Sequence, residues 1–283
     1  MKPEAFLITH SLFTREELAA GLRERGRTEA TVDSHLARWS RQGRIARVKQ
    51  GVFIRLDPLE GSHRRLPDFV ALASRMAPDA AVAYHTALEV HGFAQSILER
   101  FTFTTWTKTK PTSFQGRLFI PVRPRAPLLA ADHGERWIER AERSSVEIRV
   151  TSLERTVADV LDRPALAGGI EEAWRSLSSV PALDPKPLEE YVKLLCSRTL
   201  AAKVGFFLEA RREELVVPEA LLERLRERSP RSPVFMDRSR RGRLVPRWSL
   251  IVPQELHPEQ PRWASGLDTG QAAPGERGST RLV

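Results

Sequence analysis

Two groups of side chains in this chain have the residue types that metal binding or catalysis uses. His85, Glu89 and His91 lie close together in sequence. On a helix, His85 and Glu89 share a face at i, i+4, but His91 projects elsewhere and no HExxH spacing exists, so they are read as packing residues. Glu154, Arg155 and Asp159 put two carboxylates and a guanidinium on one helix, which a nuclease or transferase could use. Simpler roles also account for them. Glu154 in a first turn favours the helix dipole, Arg155 and Asp159 make an i, i+4 pair, and no second carboxylate motif follows. Gly168-Gly169 precedes a helix without GxGxxG or GxxxxGK[ST], and no serine sits in a GxSxG elbow. The single cysteine, Cys196, rules out an intramolecular disulfide and lies in an apolar stretch, where a buried, inert thiol is expected. No cofactor and no metal is implied.

A third group points to polyanion binding. Between about Thr28 and Arg41, Val32, Leu36 and Trp39 fall on one helical stripe. Opposite them lie Ala30, Thr31, Ser34, Arg38 and Arg41, with Arg27 just upstream on the same side and Asp33 the one acid, on the flank. Small residues let a backbone approach DNA, and Arg, Ser and Thr reach base edges or phosphates.

The flanking elements are those that would present such a helix. Thr14 is the expected N-cap of a short helix, with Glu17 completing a capping box and Leu18 and Leu22 on its inner face. After Arg41 comes RIARVKQGVFIRL, residues 44–56, two alternating runs about a turn at Gly51. The order helix, turn, helix, basic hairpin predicts a winged helix-turn-helix over residues 1–57. In that reading Ile45, Val48, Val52 and Ile54 cover the helices, while Arg47, Lys49 and Gln50 meet phosphate or minor groove. A module of this shape used only for protein contacts would carry the same face solvated.

Charge distribution agrees. The net charge of +9 favours a polyanionic partner, and residues 1–56 hold eleven Lys/Arg against six Asp/Glu. With 41% hydrophobic residues and 283 positions, the chain can build two packed domains. No apolar run is long enough to span a membrane, and the N-terminus lacks the pattern of a signal peptide, so a cytoplasmic protein is expected.

Beyond a linker at 57–63, the pattern predicts a helix over 68–76, another over Val82–His91 closing at Gly92, and strands at 100–106, 116–122, 137–141 and 146–150, with Pro121 implying an edge or strand end. Helices follow at 152–161, 169–177, 188–196, 199–212 and 218–228. The run Arg-Ser-Arg-Arg-Gly-Arg at 238–243 is either a phosphate-binding segment or a solvated loop. The last residues, 253–283, are polar and Pro/Gly-rich and are expected to be disordered. The fold class is therefore α+β: an N-terminal winged helix-turn-helix, then a mixed α/β domain over 64–252 with a small sheet and a helical C-terminal part.

Three motifs in this order resemble the AbiEi family, the antitoxin-regulators of bacterial AbiE-type toxin–antitoxin systems. They are Val-Lys-Gln-Gly-Val-Phe (48–53), Tyr-His-Thr-Ala-Leu-Glu-Val-His-Gly (84–92), and Thr-Ser-Leu-Glu-Arg-Thr-Val-Ala-Asp-Val-Leu (151–161) followed by Arg-Pro and Gly-Gly. The likeness spans about residues 10–250; the arginine-rich 211–247 segment and the Pro-rich tail fall outside the shared pattern. The resemblance implies a repressor that binds inverted repeats in its own promoter, and a C-terminal domain that counteracts a nucleotidyltransferase-fold toxin in phage defence, often without stable contact. It places Arg27, Thr28, Thr31, Ser34, Arg38, Arg41, Arg47, Lys49 and Gln50 at double-stranded DNA. Tyr84, His85, His91, Arg155, Thr156 and Asp159 become effector-domain motif residues with no assigned chemistry. The competing expectation is a DNA-targeted, metal-dependent nuclease or transferase with its site in the C-terminal domain.

Overall fold

In the computed structural model, residues 2–23, 29–56, 67–129, 135–237 and 241–256 are described below. The chain is α+β. It begins with helix α1 (Pro3–Thr9), strand β1 (Leu12–Thr14), helices α2 (Arg15–Arg23) and α3 (Glu29–Arg41), and strands β2 (Ile45–Lys49) and β3 (Val52–Arg55). The capping box forms as its residues dictate: Glu17 N–H donates to Thr14 Oγ1 at 3.1 Å, and Thr14 N–H donates to Glu17 Oε2 at 2.7 Å. Phe6, Leu7, Phe13, Leu18, Leu22, Val32, Leu36 and Trp39 close a first core, with Ile45 and Phe53 as its floor.

The three strands form one antiparallel sheet in the order β1-β3-β2. Both of its faces are covered. Ile45 and Phe53 face the helices, whereas Leu12, Val52 and Ile54, with Ala46 and Val48 beside them, join a second core containing Val70, Leu72, Met76, Phe103 and Val150. The expectation that Ile45, Val48, Val52 and Ile54 all cover the helices is thus corrected: only Ile45 does. The buried run Val52-Phe53-Ile54 belongs to a strand packed on both sides. The linker at 57–63 lies outside the described residues, but packing is continuous across it.

The rest of the chain is built on a six-stranded mixed sheet in the order β6-β7-β5-β4-β9-β8. Its strands are β4 (Ala81–Val82), β5 (Arg100–Thr104), β6 (Thr112–Phe114), β7 (Arg117–Val122), β8 (Ile138–Arg143) and β9 (Val146–Thr151). Helix α4 (Phe69–Ala73) starts at Asp68, whose carboxylate accepts from Val70 N–H and Ala71 N–H at 3.0 Å. Val82–His91 is not one helix as the pattern suggested. Val82 is a central strand residue pairing with Phe103 and Val150, the chain breaks at Tyr84, and α5 (His85–His91) follows. Pro121 lies beyond the β6 ladder, which ends at Phe119, so its missing N–H leaves that side of the sheet unharmed.

Helices α6 (Ala126–Leu129), α7 (Leu153–Asp162), α8 (Ile170–Ser178), α9 (Pro185–Leu195), α10 (Arg198–Ala210) and α11 (Glu219–Glu227) build a third core around Trp174, Tyr191, Phe206 and Phe207. The basic stretch after α11, for which no strand was expected, holds a small sheet: β10 (Val234–Phe235), β11 (Gly242–Val245) and β12 (Leu250–Pro253), in the order β10-β12-β11. Cys196 is not buried. Helix α9 ends at Leu195, and Cys196 takes the left-handed cap position at φ 50° and faces solvent.

Candidate nucleic-acid interface

Helix α3 presents two faces. Val32, Leu36 and Trp39 are buried, and Ser34, Arg38 and Arg41 are exposed on the other side, with Thr31 half-buried. Arg27 and Thr28 lie outside the described residues. The acid on the flank is neutralised: Arg15 on α2 donates to Asp33 through Nε and Nη2, at 2.9 and 3.0 Å. That hydrogen bond to Arg15 holds the Asp33 carboxyl below its ordinary range. The pair also fixes α2 against α3.

Glu4 on α1 ties the other end of α3 down. Its carboxylate takes Arg44 Nη2 at 2.7 Å, Arg38 Nη2 at 3.2 Å and Trp39 Nε1 at 3.3 Å. The hydrogen bond from Arg44 is the largest reason its carboxyl titrates below the usual range. Both partners of the Arg38–Glu4 contact are about half exposed, and such surface pairs contribute only about 0–1 kcal/mol. Arg38 can therefore exchange Glu4 for an anion at small cost.

On the hairpin, Arg47 and Gln50 are exposed. Lys49 is not directed outward as expected. A bulge between Arg47 and Lys49 shifts the alternation, so Arg47 stands opposite Phe53 on the helix side and Lys49 opposite Val52 on the side facing the large sheet. Lys49 Nζ donates to Met76 O at 2.6 Å and meets Thr109 Oγ1 at 3.4 Å. Burial there lowers its pKa. Sequence reasoning also missed the ion pair that joins the two parts of the chain, Arg75 Nε to Glu17 Oε1 at 3.0 Å.

The second set of motif residues converges, but inside the molecule. His91 Nε2 lies 2.8 Å from Thr151 O, and Thr156 Oγ1 donates to the same carbonyl at 3.1 Å, so both tie their helices to the end of β9. Arg155 and Asp159, buried on α7, contact at 3.3 Å, and Tyr191 O–H donates to Asp159 Oδ1 at 2.6 Å. The Arg155 guanidinium lies 5.7 Å from the Tyr191 ring centroid. Burial pushes the Asp159 carboxyl above its ordinary range against the pull of Arg155, and burial with the nearby Asp159 charge pushes the Tyr191 and Tyr84 hydroxyls up. Tyr84 holds φ 55° and ψ −131°, a strained backbone for a residue with a side chain. His85 is 2% exposed, with Nε2 3.9 Å from Glu172 Oε1, and burial pushes its pKa down. Glu154, by contrast, accepts from Asp184 N–H at 3.2 Å in an exposed contact. The two carboxylates that the nuclease or transferase expectation requires are therefore apart in role: Glu154 holds a backbone N–H, and Asp159 is buried in the pair with Arg155. Among the described residues no group of three or more His, Cys, Asp or Glu is placed to hold a metal. No described helix is long and apolar enough to cross a membrane.

No family model matches the chain, and no curated protein does. A solved structure with a similar fold is the crystal structure of the RV2827C protein from Mycobacterium tuberculosis, with a TM-score of 0.55 and 17% identity over 88% of this chain and 89% of that one. At that identity the likeness concerns the fold.

Proposed function

We propose that this chain is a sequence-specific DNA-binding repressor whose α2, α3 and β2–β3 hairpin form a winged helix-turn-helix, and that it serves as the antitoxin of an AbiE-type toxin–antitoxin pair in the cytoplasm. The observation that carries the DNA reading is the outer face of α3. Ser34, Arg38 and Arg41 are exposed opposite a buried stripe, the flanking Asp33 is cancelled by Arg15, and Arg47 and Gln50 stand exposed on the adjoining hairpin. Such a face offers hydroxyl and guanidinium donors to a major groove, and the acid on its flank is paired with Arg15. The antitoxin role rests on the resemblance in the motifs at 84–92 and 151–161, whose side chains here brace α5 and α7.

The test is binding of purified protein to its own promoter DNA across a range of salt. Each base-reading arginine among Arg38 and Arg41 is expected to lose about 1–3 kcal/mol on change to Ala, and each phosphate contact to lower the salt slope by about one. Unchanged affinity and slope in the Arg38→Ala/Arg41→Ala variant would overturn the assignment. A toxicity rescue assay with the adjacent gene tests the antitoxin role separately.

A further inference from the structure

The β2–β3 hairpin has a neighbour at its tip. Lys49 is the last residue of β2 before the Gln50-Gly51 turn, and its Nζ lies 3.4 Å from Thr109 Oγ1. Thr109 belongs to the loop between β5 and β6, residues 105–111, Thr-Trp-Thr-Lys-Thr-Lys-Pro. A loop of the large sheet therefore stands within one lysine side chain of the hairpin turn. On either side of Thr109 are Lys108 and Lys110, both exposed and neither paired with an acid among the described residues. From Phe101 to Gly116 the chain holds no Asp or Glu.

The loop is fixed at its base. Asp79, just ahead of β4, accepts from Thr105 Oγ1 and from Trp106 N–H, both at 2.6 Å, and Thr107 N–H donates to Thr105 Oγ1 at 3.1 Å. Pro111 keeps Lys110 extended. The two ammoniums are thus presented from an ordered backbone, which lowers the cost of ordering them on a ligand. The hairpin turn itself is short of positive charge on this side. Lys49 is turned inward to Met76 O, and Glu16 Oε2 of α2 lies 4.0 Å from where a Cβ on Gly51 would stand. Lys108 and Lys110 supply the cations that the turn does not.

We propose that the loop at 105–111 is a second DNA-contacting element, in which Lys108 and Lys110 bind backbone phosphates beside the groove that the hairpin enters. This rests on the DNA-binding reading above and deepens it, because the footprint then includes a piece of the large sheet. Arg47 stands on the helix side of the hairpin and the loop on the other. A hairpin in the minor groove, about 6 Å wide, has a phosphate strand on each flank, so cations on both flanks match a duplex. Lysine ammoniums on flexible stems neutralise phosphate without reading bases, and the exposed Thr107 hydroxyl adds a donor. An acidic protein surface would accept the same lysines but gives no reason for their place beside the hairpin.

The experiment measures binding of the full chain to its own promoter duplex and to a scrambled duplex of equal length, across a range of salt, with hydroxyl-radical footprinting of the promoter complex. Lys108→Ala/Lys110→Ala is expected to lower the salt slope by about two and to weaken binding about tenfold or more at about 0.1 M salt, by the same factor on both duplexes. The footprint should lose protection on one flank of the hairpin's groove and keep the protection given by α3. Lys108→Gln/Lys110→Gln should behave alike, and both variants should melt as the native chain does, since these side chains are exposed. Arg38→Ala/Arg41→Ala, run in parallel, separates the two readings. If that variant weakens promoter binding while the lysine variants keep the native slope and footprint, the proposal is overturned and the repressor reading stands. No DNA binding by the native chain overturns both. A loss confined to the promoter duplex would mean that the loop reads bases, and overturns the phosphate assignment. Unchanged DNA binding with lost affinity for poly-glutamate assigns the loop to an acidic protein surface, and also overturns the proposal.

Discussion

The Nζ of Lys49 donates to the carbonyl of Met76 at 2.6 Å, so the cation nearest the hairpin tip serves the junction between the two parts of the chain. The contact has company. Glu17 of α2 pairs with Arg75, and Leu12, Val52 and Ile54 lie in one core with Val70 and Met76. The hairpin is therefore held between two layers, with the helices that include α3 on one side and the core of the large sheet on the other.

Lys49→Met keeps the aliphatic stem and removes the ammonium. The salt slope of promoter binding is expected to stay at the native value and affinity to change by less than about threefold, whereas Arg41→Ala lowers the slope by about one if it meets phosphate. Unfolding free energy should fall by about 1 kcal/mol through the lost hydrogen bond. A reduced slope in Lys49→Met would mean that the ammonium leaves Met76 for DNA.

Arg155, Asp159 and Tyr191 form a buried polar network, and removing one member strands the others. Arg155→Met is expected to cost about 3–5 kcal/mol in urea titrations, because Asp159 is left as an uncompensated buried carboxylate. Tyr191→Phe should cost about 1–3 kcal/mol. The double variant Arg155→Met/Asp159→Leu should recover much of the loss, and strict additivity of the two single changes would show that the groups are not coupled.

His85 gives the fold an acid-sensitive point. Burial lowers its folded-state pKa, so the unfolded chain takes up the proton first as pH falls. Its contribution to stability is full well above the unfolded value of about 6.5 and is lost as pH drops through and below that value. His85→Phe is expected to flatten the dependence of melting temperature on pH between about 7 and 5. An unchanged pH profile in the variant would assign the acid sensitivity elsewhere.

What the sequence disclosed follows from the range of the forces involved. The Thr14–Glu17 box, the stripe of α3 and the helical spans of α7–α11 are local, and each stood in the residue pattern. The break at Tyr84 is not local: Val82 becomes a strand because Phe103 and Val150 offer it a ladder from distant parts of the chain. The turn of Lys49 toward Met76 depends on a one-residue bulge that no periodicity announces, although the unbroken Val52-Phe53-Ile54 run was a legible sign of a strand covered on both sides. Tyr191 carried no signal at all, since its role appears only when α9 packs on α7. The outer side of α3 was legible because exposure on a helix follows directly from spacing.

Cys196 illustrates how one residue of helix length changes chemistry. Because α9 stops at Leu195, the thiol caps the helix at the surface, with Sγ 3.3 Å from Lys193 O. One equivalent of thiol is expected to react with a thiol reagent in the native chain without denaturant. Protection until unfolding would place it back in the core.

Gly205, in the interior of α10, sets intrinsic propensity against packing. Alanine is favoured over glycine by about 1 kcal/mol in a helix, so propensity alone makes Gly205→Ala stabilising. The space does not exist: a Cβ at this position would lie 2.1 Å from Cζ3 and 2.2 Å from Cη2 of Trp248. The indole is fully buried and anchored by its N–H to Glu209, so it cannot swing aside without breaking that bond. The expected net effect is a loss of about 1–3 kcal/mol, read as a melting temperature lower by several degrees. Trp248→Leu alone should also destabilise, by leaving a cavity, and the pair Gly205→Ala/Trp248→Leu should be more stable than the sum of the single losses implies. A higher melting temperature in Gly205→Ala would show that Trp248 does not sit on the helix. The seat of the C-terminal sheet on α10 would then have to be redrawn, because Trp248 stands two residues before β12.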